Sequence, residues 1–438
     1  MNQSTPTKKK RKLSVPELPA HITVDILSRL PVKTLLHSQL VCKHWLSLTS
    51  PNPPFARLHL SKSPIALLIR PARPDCRQLR LIDLHLQTLP NSHPKHAQLK
   101  LSPNLHFPLL GQRVVNSCNG LLCLYDQSDP VFVCNPVLGE YISIPLSQHM
   151  GRYDHTTSAF GFSPKTKKYK VLQLFLKFVS YESETYEAEA EIYTLGEGPW
   201  RSLGRVPFHP DSQSFYASLS GARDWFNQSF YASLNGAFHW LTFDRASPDF
   251  IRCFDFDSER FRVVCEPPEF GTHKKEFPNR TSLGVLRDSL SICDFSSPVC
   301  VEIWIMKDYG IKESWTKEFV IGNGICKRGQ LDKCEPVMIL ESGEILMLVN
   351  KNALVEYNPK LGSFKNLNIY GIKSEFYAAG HIPSFVPLPD VATGERLTKN
   401  CLRPKMSALT RLEIALQKIV DSCCESSSRA LPVVPTME

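Results

Sequence analysis

The sequence predicts a multidomain chain: a small unit of three helices, then an all-β, propeller-like body, then an amphipathic helix near the C-terminus. Three observations carry this. Apolar residues recur at helical spacing across 17–60. Runs rich in β-branched and aromatic residues, broken by turn formers, fill roughly 61–390. Apolar residues then return at steps of three and four between 406 and 423. A chain of 438 residues has room for all three units, and its 42% hydrophobic content is ordinary for a globular protein.

The N-terminus, "MNQSTPTKKKRKLS", has no apolar core of the kind a secretory signal needs. No window approaches the apolar length of a membrane span. The chain is therefore expected in a reducing compartment, with most of its 14 cysteines as free, buried thiols. No CxxC spacing points to a zinc ribbon. The net charge of +9 is uneven: residues 1–60 carry nine Lys or Arg against Glu17 and Asp25, a net of +7, which leaves +2 for the rest. Five of those nine are Lys8, Lys9, Lys10, Arg11 and Lys12. So dense a run repels itself and stays extended, like a nuclear-import signal or a solvated tail. The import reading places the protein in nucleus and cytoplasm. A nucleic-acid interface would instead carry its charge on a folded face, so none is expected.

In the helical unit, Pro19 suits a helix start. Ile22, Ile26, Leu27 and Leu30 follow as one apolar stripe, and Pro31 ends the helix. Val32, Leu35 and Leu36 open a second helix; Val41, Trp45 and Leu48 mark a third, which stops before "SPNPP" at 50–54. So small a unit buries little surface alone and has no disulfide or metal staple. Its apolar residues cover more than one face. Pattern alone leaves two covers open: the body of the same chain, or another protein.

The stretch "LPAHITVDILSRLPVKTLLHSQLVCKHWLSL" resembles an F-box, from its Leu-Pro start to its Val-Cys-Lys-x-Trp third helix, over residues 18 to about 60. The resemblance implies docking onto a Skp-family adaptor and, through it, a cullin–RING ubiquitin ligase. Carried over by position, the docking residues are Leu18, Pro19, Ile22, Ile26, Leu27, Leu30, Pro31, Val32, Leu35, Val41, Cys42 and Trp45.

The β region contains "YKVLQLFLKFV" (169–179), "VCVEIWIM" (299–306) and "PVMILESGEILMLVNKNALVEYNP" (336–359), the last reading as three antiparallel strands. "FVCNPVLGEY" (132–141) and "VEYNPKLGSF" (355–364) share Asn-Pro-x-Leu-Gly before an aromatic. "FGFSPKTKKY" (160–169) and "FDFDSERF" (254–261) vary the frame. Turn centres near 135, 163, 196, 257, 308 and 358 are separated by 28, 33, 61, 51 and 50 residues. Several steps approach the length of a four-stranded blade, which favours a propeller over an irregular sandwich. The pieces "SCNGLLCLY", "NPVLGEYISIP", "FGFSPKTKKYKVL", "LNGAFHWL" and "LGVLRDSLSICDF" resemble, in order, the F-box-associated (FBA) domain of plant F-box proteins. On this basis 61–109 is a connecting segment and 110–390 the FBA domain. One departure is a tandem copy, "SQSFYASLSG" (212–221) and "NQSFYASLNG" (227–236), of which the second continues into the family strand.

Met406, Leu409, Leu412, Leu416, Ile419 and Cys423 predict an amphipathic helix over about 404–424, with a polar tail after it. No nucleophile elbow, H-E-x-x-H, phosphate loop or calcium loop occurs, and His239 beside Trp240 reads as a structural histidine. No catalytic, metal or cofactor residues are therefore assigned. The expected function is target recognition in a Skp–cullin–F-box ligase, with a protein target of unstated identity. The alternative is a propeller hydrolase or lyase with a helical appendage.

Overall fold

The computed structural model describes residues 18–49, 52–71, 79–82, 84, 98–100, 113–125, 130–149, 153, 155–180, 185–207, 231–242, 250–268, 270, 280–322, 333–369, 372, 375–394 and 397–399. The basic run 8–12, the first tandem copy and the amphipathic stretch 404–424 lie outside them.

The helical unit has four helices rather than three: α1 (Ala20–Ser28), α2 (Val32–Ser38), α3 (Lys43–Thr49) and α4 (Pro53–Lys62). Pro19 and Pro31 are the residues before α1 and α2, and each lends a carbonyl to the first turn. The extra helix follows from "NPP". The Asn52 side chain accepts the Phe55 amide at 3.0 Å, and Pro53 and Pro54 occupy first-turn positions where no amide donor is missed. The motif that stops α3 also starts α4.

The body is a six-bladed propeller. Strands β1 (Ala66–Pro71), β2 (Arg80–Ile82) and β3 (Gln98–Lys100) come first, so 61–109 is not a mere connector but holds most of a blade. Blade 2 is β4 (Arg113–Cys118), β5 (Leu121–Tyr125), β6 (Phe132–Asn135) and β7 (Glu140–Ser143). Blade 3 is β8 (His155–Ser163), β9 (Lys168–Ser180), β10 (Thr185–Thr194) and β11 (Arg201–Arg205). Blade 4 is β12 (Tyr231–Leu234), β13 (Ala237–Leu241), β14 (Ile251–Asp255) and β15 (Arg260–Val264). Blade 5 is β16 (Thr281–Leu286), β17 (Ser289–Asp294), β18 (Cys300–Met306) and β19 (Trp315–Gly322). Blade 6 is β20 (Cys334–Ile339), β21 (Ile345–Val349), β22 (Ala353–Asn358) and β23 (Ser363–Leu367). Strand β24 (Phe376–His381) then pairs with β1, Leu68 opposite Ala379, and closes the ring by completing blade 1. After a short helix, α5 (Leu388–Val391), β25 (Leu397–Lys399) adds a fifth strand to the outer edge of blade 2.

The turn spacing becomes regular once each turn is placed. Those near 135, 196, 257, 308 and 358 join the third and fourth strands of blades 2 to 6, at steps of 61, 61, 51 and 50. The turn near 163 joins β8 to β9, a first hairpin, and so falls out of phase. Asn119-Gly120 and Asn235-Gly236 have positive φ at both residues, as a two-residue hairpin matched to strand twist requires. The second tandem copy supplies β12 and this latter turn.

Apolar clusters fill the seams between neighbouring blades, and polar clips add direction. Asn116 on β4 donates to the Phe160 carbonyl (2.7 Å) and to Ser233 Oγ (2.9 Å), tying three inner strands. Buried Lys170 donates to the Phe256 carbonyl (2.9 Å) and pairs with Glu259 (2.8 Å) across blades 3 and 4. His239 meets the Ala232 carbonyl and, from blade 4 to the blade 5 turn, the Tyr309 hydroxyl at 2.7 Å. Burial pushes its pKa down to about 4, as befits a structural, neutral histidine.

A candidate docking surface

One apolar cluster differs from the rest. The seam between blades 1 and 2 (Leu68, Leu81, Leu122, Leu124, Phe132, Cys134) is completed by Leu27, Val32, Leu35, Phe55 and Ala56 from the helices. The helical unit is thus no tethered appendage. It shares a core with the propeller.

The segment after β24 locks this arrangement. The Asn135 side-chain amide donates to the carbonyls of Ser384 and Val386, both at 2.9 Å, and its Oδ1 accepts the Val137 and Leu138 amides. Glu140 accepts the Leu388 amide at 2.9 Å, and His381 Nδ1 meets Ser117 Oγ at 2.8 Å. Gly120 leaves the space: a Cβ there would sit 2.2 Å from that of Ser384. Phe385 then packs edge-on against His59 of α4, ring centroids 5.2 Å apart. His59 Nε2 faces the Leu30 carbonyl at 3.0 Å, so that nitrogen carries the proton. Burial lowers the His59 pKa, and the Leu30 contact opposes the shift only in part.

The sequence-assigned docking residues divide accordingly. Leu27 (1% exposed), Val32 and Leu35 (0%) are buried in the shared core. In this arrangement they cannot form a docking face, which corrects their assignment. Leu30, Pro31 and Trp45 are half-buried, and Leu30 and Trp45 pack against that core. Leu18 (55%), Ile22, Ile26 (47%) and Val41 (66%) are exposed, as are Pro19 and Cys42. Two exposed residues escaped the sequence reading, Leu40 and Leu46. Leu46 sits beside Trp45, and that adjacency in an apolar helix was its one signal. The expected single stripe of α1 is really two: Leu18, Ile22 and Ile26, at steps of four, point outward, while Leu27 and Leu30 turn in. At the rim, Asp25 bonds Lys62 (2.5 Å) and Arg29 (3.1 Å), and these cations, Lys62 first, hold its pKa down to about 2.

Family comparison fits both halves. The model of the F-box associated beta propeller domain matches residues 77–386, and the F-box-like model matches 15–59. The chain belongs to the F-box associated β-propeller family. F-box protein At3g07870 of Arabidopsis thaliana is 29% identical over 402 residues, covering 83% of this chain and 90% of its own. F-box/kelch-repeat protein At3g23880 of the same plant is 25% identical, covering 79% and 89%. Among solved structures, YCF48 from Cyanidioschyzon merolae covers 73% of this chain and 94% of its own at 9% identity, with a TM-score of 0.32, too low to bear on function.

The inner strands of this FBA propeller enclose a central cavity of about 490 Å³. Its walls are mainly aliphatic residues, amides and hydroxyls. Among the described residues that line it, Glu335 is the one carboxylate, held to Lys333 at 2.7 Å, and none is a histidine. The described lining residues assemble no acid–base–nucleophile set, and the family match likewise does not favour the propeller-enzyme alternative.

Proposed function

We propose that this protein is the target-recognition subunit of a Skp–cullin–F-box ubiquitin ligase and performs no covalent chemistry itself. The outer face of the F-box, Leu18, Ile22, Ile26, Val41, Cys42 and Leu46 with the edge of Trp45, binds a Skp-family adaptor. The propeller holds a protein target. Ubiquitin transfer is then favoured by proximity and orientation, and the target goes on to proteasomal degradation. The observation that carries this reading is the outward apolar stripe on a unit whose other side is already sealed. The shared core supports it further, because a rigid joint fixes the target's position relative to the adaptor.

The F-box rests at the end of the propeller that carries the first-to-second and third-to-fourth strand turns of the blades, next to Val137 and Phe385. Target binding is assigned to the opposite end, which carries the blade-to-blade connections. The basic run Lys8–Lys12 is assigned to nuclear import, with the protein shared between nucleus and cytoplasm.

The test is co-purification of the full chain with a Skp-family adaptor, beside the variant Ile26→Asp with Val41→Asp. The adaptor should accompany the wild type, and its recovery should fall at least tenfold with the variant while melting is unchanged. Equal recovery would refute the docking face.

A further inference from the structure

The cavity at the centre of the propeller has two unlike ends. Its walls are the inner strands, which run toward the F-box end. Tyr377 and Glu335 each stand second in β24 and β20, so they make a polar layer at the far end. Val285 and Met338 stand fifth in β16 and β20, and Ile382 follows β24, so the end near the F-box is aliphatic. A cavity of about 490 Å³ is large against the close packing of an interior and falls in the range of small-molecule sites.

Most polar side chains of the wall already have partners. Asn116 is engaged by Phe160 and Ser233, Ser117 by His381, and Glu335 by Lys333. Tyr377 differs, because its hydroxyl makes no hydrogen bond among the described residues. Burial, and then the nearby Glu335 charge, push its pKa up, so the phenol stays a protonated donor. Such a donor is costly in a deep wall unless an occupant of the cavity accepts from it. Water serves the polar end alone, since the aliphatic end offers it nothing. An anionic head would face Glu335 with no Lys, Arg or His among the described lining residues to receive it.

We propose that this cavity binds an uncharged amphipathic small molecule, in its simplest form an aliphatic alcohol, whose hydroxyl pairs with Tyr377 and whose hydrocarbon lies between Val285 and Met338. The two layers are three strand residues apart, roughly 10 Å, a gap that an eight-carbon alcohol spans. Tyr377 belongs to the strand that closes the ring, and Val285 and Met338 to blades 5 and 6. An occupant therefore bridges the closure, and binding to the folded ring alone raises its stability. The site is independent of the docking reading, since it needs neither adaptor nor target.

The test titrates the full chain with 1-octanol and with octanoate, which has the same chain length and an anionic head. Affinity is read by ligand-observed NMR and by the rise in melting temperature, for wild type and Tyr377→Phe. Octanol should bind the wild type at least tenfold more tightly than octanoate and raise its melting temperature. Tyr377→Phe should lose about threefold to tenfold in octanol affinity, the size of one hydrogen bond. Without ligand the variant should melt as the wild type does, because the hydroxyl it lacks holds no other part of the protein. Absence of octanol binding would leave the cavity to water and overturn the proposal. Equal affinity for the two heads, or unchanged octanol affinity in Tyr377→Phe, would also overturn it, by placing the ligand elsewhere. A lower melting temperature of the unliganded variant would do the same, by giving the phenol a partner within the protein.

Discussion

The two sides of α1 are built from the same kinds of residue and have opposite fates. Leu27 is 1% exposed in a core shared with two propeller blades, and its neighbour Ile26 is 47% exposed. Composition does not separate them; one step along a helix does, by turning the side chain about 100°. The difference teaches that an apolar F-box position belongs to stability or to docking according to what its own chain has already covered. Substitution on either side can end partner binding, but for different reasons, so stability must be read alongside affinity.

The comparison breaks most sharply at Leu35, which is fully buried. Leu35→Ala should cost roughly 2–5 kcal/mol, from lost transfer energy and a residual cavity. The expected result is a lower denaturation midpoint, with exchange protection lost in α2 and at the blade 1–blade 2 seam. Unchanged stability would mean that the helices do not share that core. On the outer side, Leu46→Asp should weaken adaptor binding by roughly 2 kcal/mol if it anchors the interface, with stability altered by about 0.5 kcal/mol or less. Calorimetric titration together with a melting curve separates the two effects.

Asn135→Ala sharpens the contrast from the propeller side. It removes four hydrogen bonds of a buried amide, two of which fix residues 384 and 386. A loss of roughly 1–3 kcal/mol is expected, from carbonyls and amides left unsatisfied. It should appear as faster exchange near Leu388 and looser packing of Phe385 on His59, well before global unfolding.

Just below neutrality, a smaller effect comes from pH. Burial lowers His381 from 6.5 to about 4, and His239 likewise. Below pH 6.5 the unfolded chain takes up protons that the folded chain refuses. Stability should therefore be level above 6.5 and fall as pH drops from 6.5 toward 4. His381→Gln should flatten part of that slope, which a melting series in matched buffers would reveal.

Much of this was legible in the sequence, and what was not has physical causes. Helical spacing located α1 to α3, and Asn-Pro-x-Leu-Gly marked the last hairpin of blades 2 and 6, because few residues suit those turns. Helix α4 was hidden because "NPP" breaks one helix with the same chemistry that begins another. Blade 1 was hidden because its strands come from both ends of the propeller, and Leu68 pairs with Ala379. No local period reports a pairing that distant. The site was half legible: spacing identified the apolar residues of α1, but sorting Ile26 from Leu27 required knowing that a propeller seam lay on one side.

The central claim is that the outer F-box face is a docking surface while the inner face is already filled. Hydrogen exchange of the full chain, with and without a saturating purified Skp-family adaptor, tests it most directly. New protection should be confined to peptides covering residues 18–49, with amides of β5 and β6 in blade 2 unchanged because their seam is closed beforehand. Protection appearing in blade 2 while 18–49 stays unaltered, or no protection anywhere, would contradict the account.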